Sequence, residues 1–147
     1  PVLDTSLVGF KLAHDVSAYQ LVSTARTVAP MMTEGGSVIT LSYRGATRGI
    51  TNYNVMGVAK DALEACVRYL SSDLGHSNIR VNAISAGPVR TLAGAGIADA
   101  RFMFNFQRDH SPLRRTVTIE PVGGAAAVRL SSLSEGVTGQ VQFGDAG

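Results

Sequence analysis

A tyrosine and a lysine, Tyr53 and Lys60, lie seven residues apart near the start of the most regular apolar pattern in the chain. Seven steps of about 100° complete nearly two helical turns, so both side chains project from one helix face. A phenol has an ordinary pKa of about 10, and a nearby ammonium group favours the phenolate and lowers that pKa. The pair could therefore act as an acid or an oxyanion stabiliser, while the lysine binds ribose hydroxyls. The alternative is a surface tyrosine and a solvated lysine, and the spacing alone favours it.

Two further candidate positions follow predicted strands. Tyr43 ends the β-branched run 37–43, and the segment Gly87–Thr91 follows the apolar run 79–85. Ligands of open α/β sheets bind outside the carboxyl ends of the strands. Tyr43 could thus face a substrate carbonyl, while the backbone of Gly87–Thr91 could bond a carboxamide and the Thr91 hydroxyl a phosphate. The alternatives are a tyrosine that caps the core and an ordinary turn that ends a strand.

The histidines and the cysteine indicate no metal site or nucleophile. His14, His76 and His110 lack metal-ligand spacing, and no carboxylate cluster accompanies them. Cys66 is the only cysteine, and its apolar neighbours at helical spacing predict a packed core thiol. A single thiol also fits a reducing compartment, the cytoplasm or, in a plant or alga, the plastid stroma.

The apolar periodicity predicts that helices and strands alternate along the chain. The predicted helices are 14–32, 53–73, 98–108 and 118–131, and the predicted strands are 37–43, 79–85 and 137–144. Such an order predicts parallel βαβ units, so we expect an α/β fold with part of a Rossmann-like, doubly wound sheet, in a single domain over 1–147. Thr118 is expected to cap the last helix. The glycine-rich phosphate turn of such sheets is absent, and the small residues 93–96 predict a mobile loop instead.

Composition excludes several classes of protein. Of the 147 residues, 45% are hydrophobic and 16% are charged, which is typical of a globular, core-forming chain. The net charge is only +2 and basic residues are scattered, so nucleic acid is not an expected partner. No apolar stretch reaches the roughly 20 residues that span a bilayer. The chain opens at Pro1 without an initiator methionine, which leads us to expect a partial chain.

Taken together, these segments resemble the enoyl-acyl-carrier-protein reductases, a branch of the short-chain dehydrogenase/reductase superfamily. Ordinary members of the superfamily use Tyr-x3-Lys, whereas this branch uses Tyr-x6-Lys, as in Tyr53–Lys60. The segments Leu41–Tyr43, Ile79–Leu92 and Ser111–Glu120 are similar to the family's pattern in the same order. The resemblance covers nearly all of the chain.

This resemblance implies a reaction and a set of site residues. NADH, or less often NADPH, would reduce the C=C bond of a trans-2-enoyl chain carried by an acyl-carrier protein. Tyr53 would stabilise the enolate oxygen, Lys60 would bind the nicotinamide ribose, and Tyr43 would be a second active-site tyrosine. The segment similar to the family's cofactor-binding backbone consists of Val89, Arg90, Thr91, Leu92 and Ala93.

The resemblance also implies a substrate-binding loop and helix over 93–106. Phe102, Phe104 and Phe106 could line the acyl chain there or make an ordinary core contact. A homotetramer is implied as well. One departure is Asp145-Ala146-Gly147, where the family usually has Asp-Gly-Gly or Asp-Ser-Gly. Two alternatives remain open: a ketoreductase of the same superfamily, and a non-catalytic fragment or oligomerisation module that lacks the phosphate turn.

Overall fold

The protein is described here by a computed structural model that covers residues 1–91 and 100–147. Within these residues, three parallel strands form one sheet in the order β1-β2-β3. The strands are β1 (Gly36–Tyr43), β2 (Ile79–Ala86) and β3 (Val141–Gly144). Gly36 lies opposite Ile79, and Ala83 lies opposite Val141. Because all three strands run the same way, their carboxyl ends meet at one edge of the sheet.

Helices alternate with the strands, so the predicted α/β fold is confirmed. The helices are α1 (Leu7–His14), α2 (Gln20–Val28), α3 (Asn54–Leu74), α4 (Ala100–His110) and α5 (Ile119–Leu130). Short 3-10 turns occur at Val2–Asp4, Ala29–Met31, Arg44–Ala46, Gly75–Ser77 and Ser132–Ser134. None of these helices, within the described ranges, is both long and apolar enough to cross a membrane.

The first helical region begins earlier than the sequence pattern predicted. It starts at Leu7 instead of residue 14, because the Ser6 hydroxyl accepts a hydrogen bond from the Gly9 amide at 3.0 Å and caps α1. A single π-helical turn, Asp15–Tyr19, then joins α1 to α2. The extra residue of a π turn shifts the apolar face of α2 relative to that of α1.

The last strand is shorter than predicted, since it begins at Val141 and not at residue 137. The fully buried side chain of Asn82, on β2, bonds the segment that precedes β3. Its amide nitrogen donates to the Val137 carbonyl at 2.8 Å, and its amide oxygen accepts from the Gln140 backbone at 3.1 Å. Together with the backbone bonds of Gly139 and Gln140 to β2, these side-chain bonds hold the segment in an irregular conformation ahead of the strand.

A third correction concerns Thr118. It stands at the N-cap position of α5, but its side chain makes no capping hydrogen bond. The Thr118 hydroxyl instead bonds the side chain of Glu120, which lowers the pKa of that carboxyl.

Helices cover both faces of the sheet. Neighbouring positions of a strand point to opposite faces, and on β1 the Ser42 hydroxyl bonds α3 while the Ser37 hydroxyl bonds the Arg129 carbonyl of α5. The main core lies between α3 and the sheet, with contributions from the π turn and α2. Its buried members are Ala18, Leu21, Leu63, Val67, Val81 and Ala83. Cys66 packs against this cluster, which confirms the predicted packed thiol.

Candidate active site

Tyr53 occupies the N-cap position of α3, in a tight bend of the backbone. The residues on either side of it, Asn52 and Asn54, have φ angles of 63° and 44°. This left-handed region is costly for most residues but is tolerated by asparagine. The two asparagines therefore let the chain turn sharply into the helix while Tyr53 lies between them.

The turn after β1 lies directly against this bend, and it does so because two residues lack side chains. A Cβ atom on Gly45 would collide with the Tyr53 ring. A Cβ atom on Gly57, one turn into α3, would lie 2.8 Å from the Gly45 carbonyl oxygen. The close approach of the Arg44–Ala46 turn to α3 thus depends on both glycines.

The structure brings Tyr43 and Tyr53 into contact. Tyr43 is the last residue of β1, and its ring meets the Tyr53 ring edge-on, with centroids 4.9 Å apart. Both side chains are half-buried. Tyr43 therefore lies at the carboxyl edge of the sheet, where the sequence placed it, and it packs on the candidate catalytic tyrosine.

The pKa of Tyr53 differs from the expectation drawn from its spacing to Lys60. Burial, with a smaller effect of Tyr43, raises the pKa of Tyr53 to about 12. Burial also raises the pKa of Tyr43, although the charge of Arg44 opposes that change. The expected lowering by Lys60 was wrong, because the half-buried phenol loses the water that would stabilise a phenolate. At neutral pH the Tyr53 phenol is protonated and can act as a donor.

Lys60 lies two turns along α3 and is anchored to β1. Its ammonium donates a hydrogen bond to the Leu41 carbonyl at 2.8 Å. Burial lowers the pKa of Lys60, and the nearby Glu64 carboxylate opposes that change. No hydrogen bond joins Lys60 to Tyr53 in the described part of the chain. An ammonium has three donors, so the bond to Leu41 leaves donors for a ligand.

The predicted cofactor segment follows β2 at the same edge of the sheet. Its first part is fixed by Gly87, whose amide donates to the Gly144 carbonyl at 3.3 Å. A Cβ atom on Gly87 would lie 3.1 Å from Asp145 and would collide with the Gln107 side chain. Val89 is half-buried and Thr91 is exposed. Leu92, Ala93 and the predicted mobile loop lie outside the described residues.

Helix α4 contacts this segment through one aromatic side chain. The guanidinium of Arg90 lies 5.3 Å from the centroid of the Phe104 ring, a cation–π contact. Phe102 and Phe106 are exposed, so they make no core contact in this structure.

Sequence reasoning missed two buried polar residues near the site. Gln107 of α4 donates to the Asp145 carbonyl at 2.6 Å. Glu64 of α3 accepts from the Ser42 hydroxyl at 2.5 Å. The signal for Glu64 was a single acidic residue within the apolar face of α3, four residues after Lys60, and the pattern does not reveal its partner.

Two open grooves lie on the surface of the described residues. One, of about 590 Å³, runs beside the carboxyl end of β3 and includes Pro121, Phe143 and Asp145. The other, of about 400 Å³, lies between the ends of α2 and α3 and includes Arg26, Asp73 and His76. Neither groove is lined by Tyr43, Tyr53 or Lys60. The candidate site therefore consists of these residues near the carboxyl edge of the sheet.

Curated proteins are similar to this chain over nearly its whole length. An enoyl-[acyl-carrier-protein] reductase [NADH] of Rhizobium meliloti is 56% identical over 144 residues, which are 98% of this chain and 54% of the relative. The corresponding reductase of Bacillus subtilis is 50% identical over 99% of this chain and 56% of its own length. The chain therefore spans just over half the length of these curated relatives. Their names do not favour the ketoreductase alternative.

Solved structures give the same result. The Bacillus cereus enoyl-acyl carrier protein reductase, solved with NADP+ and indole naphthyridinone, matches with a TM-score of 0.98 and 50% identity, over 100% of this chain and 57% of that chain. The Anaplasma phagocytophilum reductase, solved with NAD, matches with a TM-score of 0.94 and 47% identity, over 100% of this chain and 54% of that one. The family model described as enoyl-(acyl carrier protein) reductase matches residues 1–147, and the chain belongs to that family.

Proposed function

We propose that the protein reduces the C=C bond of trans-2-enoyl-acyl-carrier protein with NADH in fatty-acid biosynthesis. The observation that carries this proposal is the protonated Tyr53 phenol, packed against Tyr43 at the carboxyl edge of the sheet. Lys60 lies on the same helix, with its ammonium directed to the same strand that ends in Tyr43. The family to which the chain belongs supports the assignment.

The residues present fit the nicotinamide half of a dinucleotide. The Lys60 ammonium has donors for ribose hydroxyls, and the backbone of Val89–Thr91 offers groups to a carboxamide. At the end of β2, the buried Ser85 hydroxyl has no hydrogen-bond partner within the described residues, which is consistent with a polar ligand nearby. The names of two solved relatives include NAD and NADP+, which supports NADH and leaves NADPH possible. Leu92 and Ala93 remain part of the proposed cofactor segment from the sequence pattern.

When bound, NADH supplies the hydride, and the chain's own residues manage charge and position. Addition of hydride to the β-carbon would leave an enolate with negative charge on the thioester oxygen, and a proton from solvent at the α-carbon would complete the reduction. Tyr53, which stays protonated at neutral pH, donates a hydrogen bond to that oxygen. Tyr43 packs against the Tyr53 ring and limits its orientations, and Lys60 holds the ribose. No metal is needed for this donor set.

The proposal extends to partners and assembly. The acyl-carrier protein that bears the enoyl chain is the proposed substrate partner, as the relatives' names indicate. A homotetramer is proposed from the family resemblance. Assembly is supported by α1 and the following π turn, which expose several apolar side chains, as contact surfaces do. They are Leu7, Val8, Leu12 and Val16. A reducing compartment such as the cytoplasm is proposed from the single cysteine, Cys66.

The direct test is substrate choice, measured on the protein expressed from its complete gene. Loss of NADH absorbance is followed with a trans-2-enoyl thioester and, in parallel, with the β-ketoacyl thioester of the same chain length. We expect turnover of the enoyl substrate at least about 100-fold above that of the ketoacyl substrate. A preference for the ketoacyl thioester would indicate a ketoreductase, and absence of both turnover and NADH binding would indicate a non-catalytic protein.

A further inference from the structure

The carboxylate of Glu64 is buried beside the candidate site and has no role in the mechanism above. Glu64 is only 4% exposed, although it lies in the middle of α3. The hydroxyl of Ser42, which is 5% exposed on β1, donates to its Oε1 atom at 2.5 Å. Helix α3 and strand β1 are thus joined by a buried polar contact one residue before Tyr43.

A buried carboxylate is costly unless hydrogen bonds and an opposite charge compensate it. One hydrogen bond comes from Ser42. Glu64 makes no direct ion pair with any described residue. Two cations lie four residues from Glu64 along the helix, Lys60 and Arg68, and positions four apart lie on the same helix face. Arg68 is exposed, whereas Lys60 is half-buried and the charge of Glu64 favours its ammonium form, so Lys60 is the cation that compensates the carboxylate.

Lys60 and Glu64 also bind adjacent residues of β1. The Lys60 ammonium donates to the Leu41 carbonyl, and the Glu64 carboxylate accepts from the Ser42 hydroxyl. One short segment, Leu41–Tyr43, therefore fixes the ammonium, the buried carboxylate and the second tyrosine. A change at Glu64 or Ser42 should affect Lys60 first. The Lys60 side chain lies on the same helix face as Glu64 and bonds the same segment of β1.

We propose that Glu64, held by the Ser42 hydroxyl, is a positioning residue that balances the charge of the Lys60 ammonium and fixes its place at the edge of the sheet. The proposal rests on the proposed function in one respect, that Lys60 binds the nicotinamide ribose. Its expected consequence is weaker NADH binding when the Glu64 charge is removed, with a smaller effect on turnover at saturation. A purely structural role would destabilise the fold and leave the properties of the ammonium unchanged.

The first experiment examines Lys60 without any cofactor. The chain contains only two lysines, Lys11 and Lys60, and Lys11 is exposed, so it serves as an internal reference. Pulse acetylation with acetic anhydride, read by peptide mass spectrometry, gives the ratio of Lys60 to Lys11 labelling. In Glu64→Gln, which keeps a hydrogen-bond acceptor for Ser42, we expect that ratio to rise about fivefold or more, because the ammonium loses its stabilising charge.

Two further variants separate charge from packing. Asp61→Asn removes one exposed acidic charge from the same helix and should leave the labelling ratio unchanged. Ser42→Ala keeps the carboxylate but removes its anchor, and we expect a smaller rise than in Glu64→Gln. An unchanged ratio in Glu64→Gln, in a variant that unfolds at the wild-type temperature, would overturn the proposal.

The second experiment measures steady-state kinetics of the protein from its complete gene. Glu64→Gln should raise the KM for NADH about tenfold while kcat changes by less than about threefold. Equal losses in both parameters, or a loss only of kcat, would contradict a positioning role at the cofactor. If the wild-type protein oxidises no NADH, the proposed function fails, and the labelling ratio still decides whether Glu64 balances Lys60.

Discussion

The ring of Tyr53 meets the ring of Tyr43 edge-on, with centroids 4.9 Å apart and ring planes at 65°. One ring ends β1 and the other begins α3, so the contact links the sheet edge to the helix that carries Lys60. Burial of the pair keeps the Tyr53 phenol protonated. The hydroxyl and the ring of Tyr53 thus have separate roles, which substitution can distinguish.

Replacement of Tyr53 by phenylalanine should remove the donor and keep the ring contact. We expect kcat with an enoyl thioester to fall by about 10²- to 10⁴-fold, because the developing oxyanion loses its hydrogen bond. The denaturation midpoint should remain close to that of the wild type. Steady-state kinetics and chemical denaturation of the same preparation measure both.

The matched control is Tyr69→Phe on the same helix, since the Tyr69 side chain is 74% exposed. It removes an identical hydroxyl far from the sheet edge and should leave kcat unchanged. Activity of Tyr53→Phe equal to that of Tyr69→Phe would exclude Tyr53 as the donor.

Tyr53 should also titrate late. The pKa of Tyr53 is raised from 10.0 to about 12, so the folded state holds this proton more tightly than the unfolded state does. The resulting stabilisation is complete below pH 10 and is lost as the pH rises through about 12. NMR spectra of protein labelled with ¹³C at tyrosine Cζ should show one resonance that moves only above pH 11, about a unit past the reference value of 10. Its absence in Tyr53→Phe assigns it, whereas titration of Tyr53 near pH 8 or 9 would favour a phenolate stabilised by Lys60.

Much of the fold follows from the sequence because its strands are short apolar runs between polar breaks. The predicted bounds of β1, β2 and α3 each lie within one residue of the observed ones. The start of α1 was missed because a lone serine cap is a weak signal and the π turn interrupts the helical period. The start of β3 was missed because the Asn82 side chain, on another strand, determines it.

The site was only partly predictable. Strand ends placed Tyr43 at the carboxyl edge of the sheet, and spacing placed Tyr53 and Lys60 on one helix face. The direction of the Tyr53 pKa depends on burial, which spacing does not report. The contact between Glu64 and Ser42 joins residues 22 positions apart, and only the packing of α3 on β1 brings them together.

Arg80 should contribute strongly to stability although it lies away from the candidate site. Its guanidinium, on β2, donates to the Arg129 carbonyl at 2.9 Å and to the Ser131 carbonyl at 3.1 Å, which satisfies the end of α5. Lysine cannot reproduce this forked geometry. We expect Arg80→Lys to lower the free energy of unfolding by about 2–3 kcal/mol in urea denaturation.

The control for Arg80 is Arg68→Lys, because Arg68 is exposed on α3. This variant should change the free energy of unfolding by less than about 0.5 kcal/mol. Equal stability of the two variants would show that the bonds at the end of α5 add little to the fold.

Gly57 and Gly123 offer a matched pair of helical glycines with opposite surroundings. A Cβ atom at Gly123 in α5 meets nothing within 4 Å, so Gly123→Ala should stabilise the protein by about 0.5–1 kcal/mol through helix propensity.

A Cβ atom at Gly57 would lie 2.8 Å from the Gly45 carbonyl oxygen, and Gly45 itself touches the Tyr53 ring. Gly57→Ala should therefore cost about 1–3 kcal/mol and also lower kcat, because the displaced turn moves Tyr53. Chemical denaturation and kinetics of both variants test this, and stabilisation by Gly57→Ala with full activity would show that the turn does not position the tyrosine.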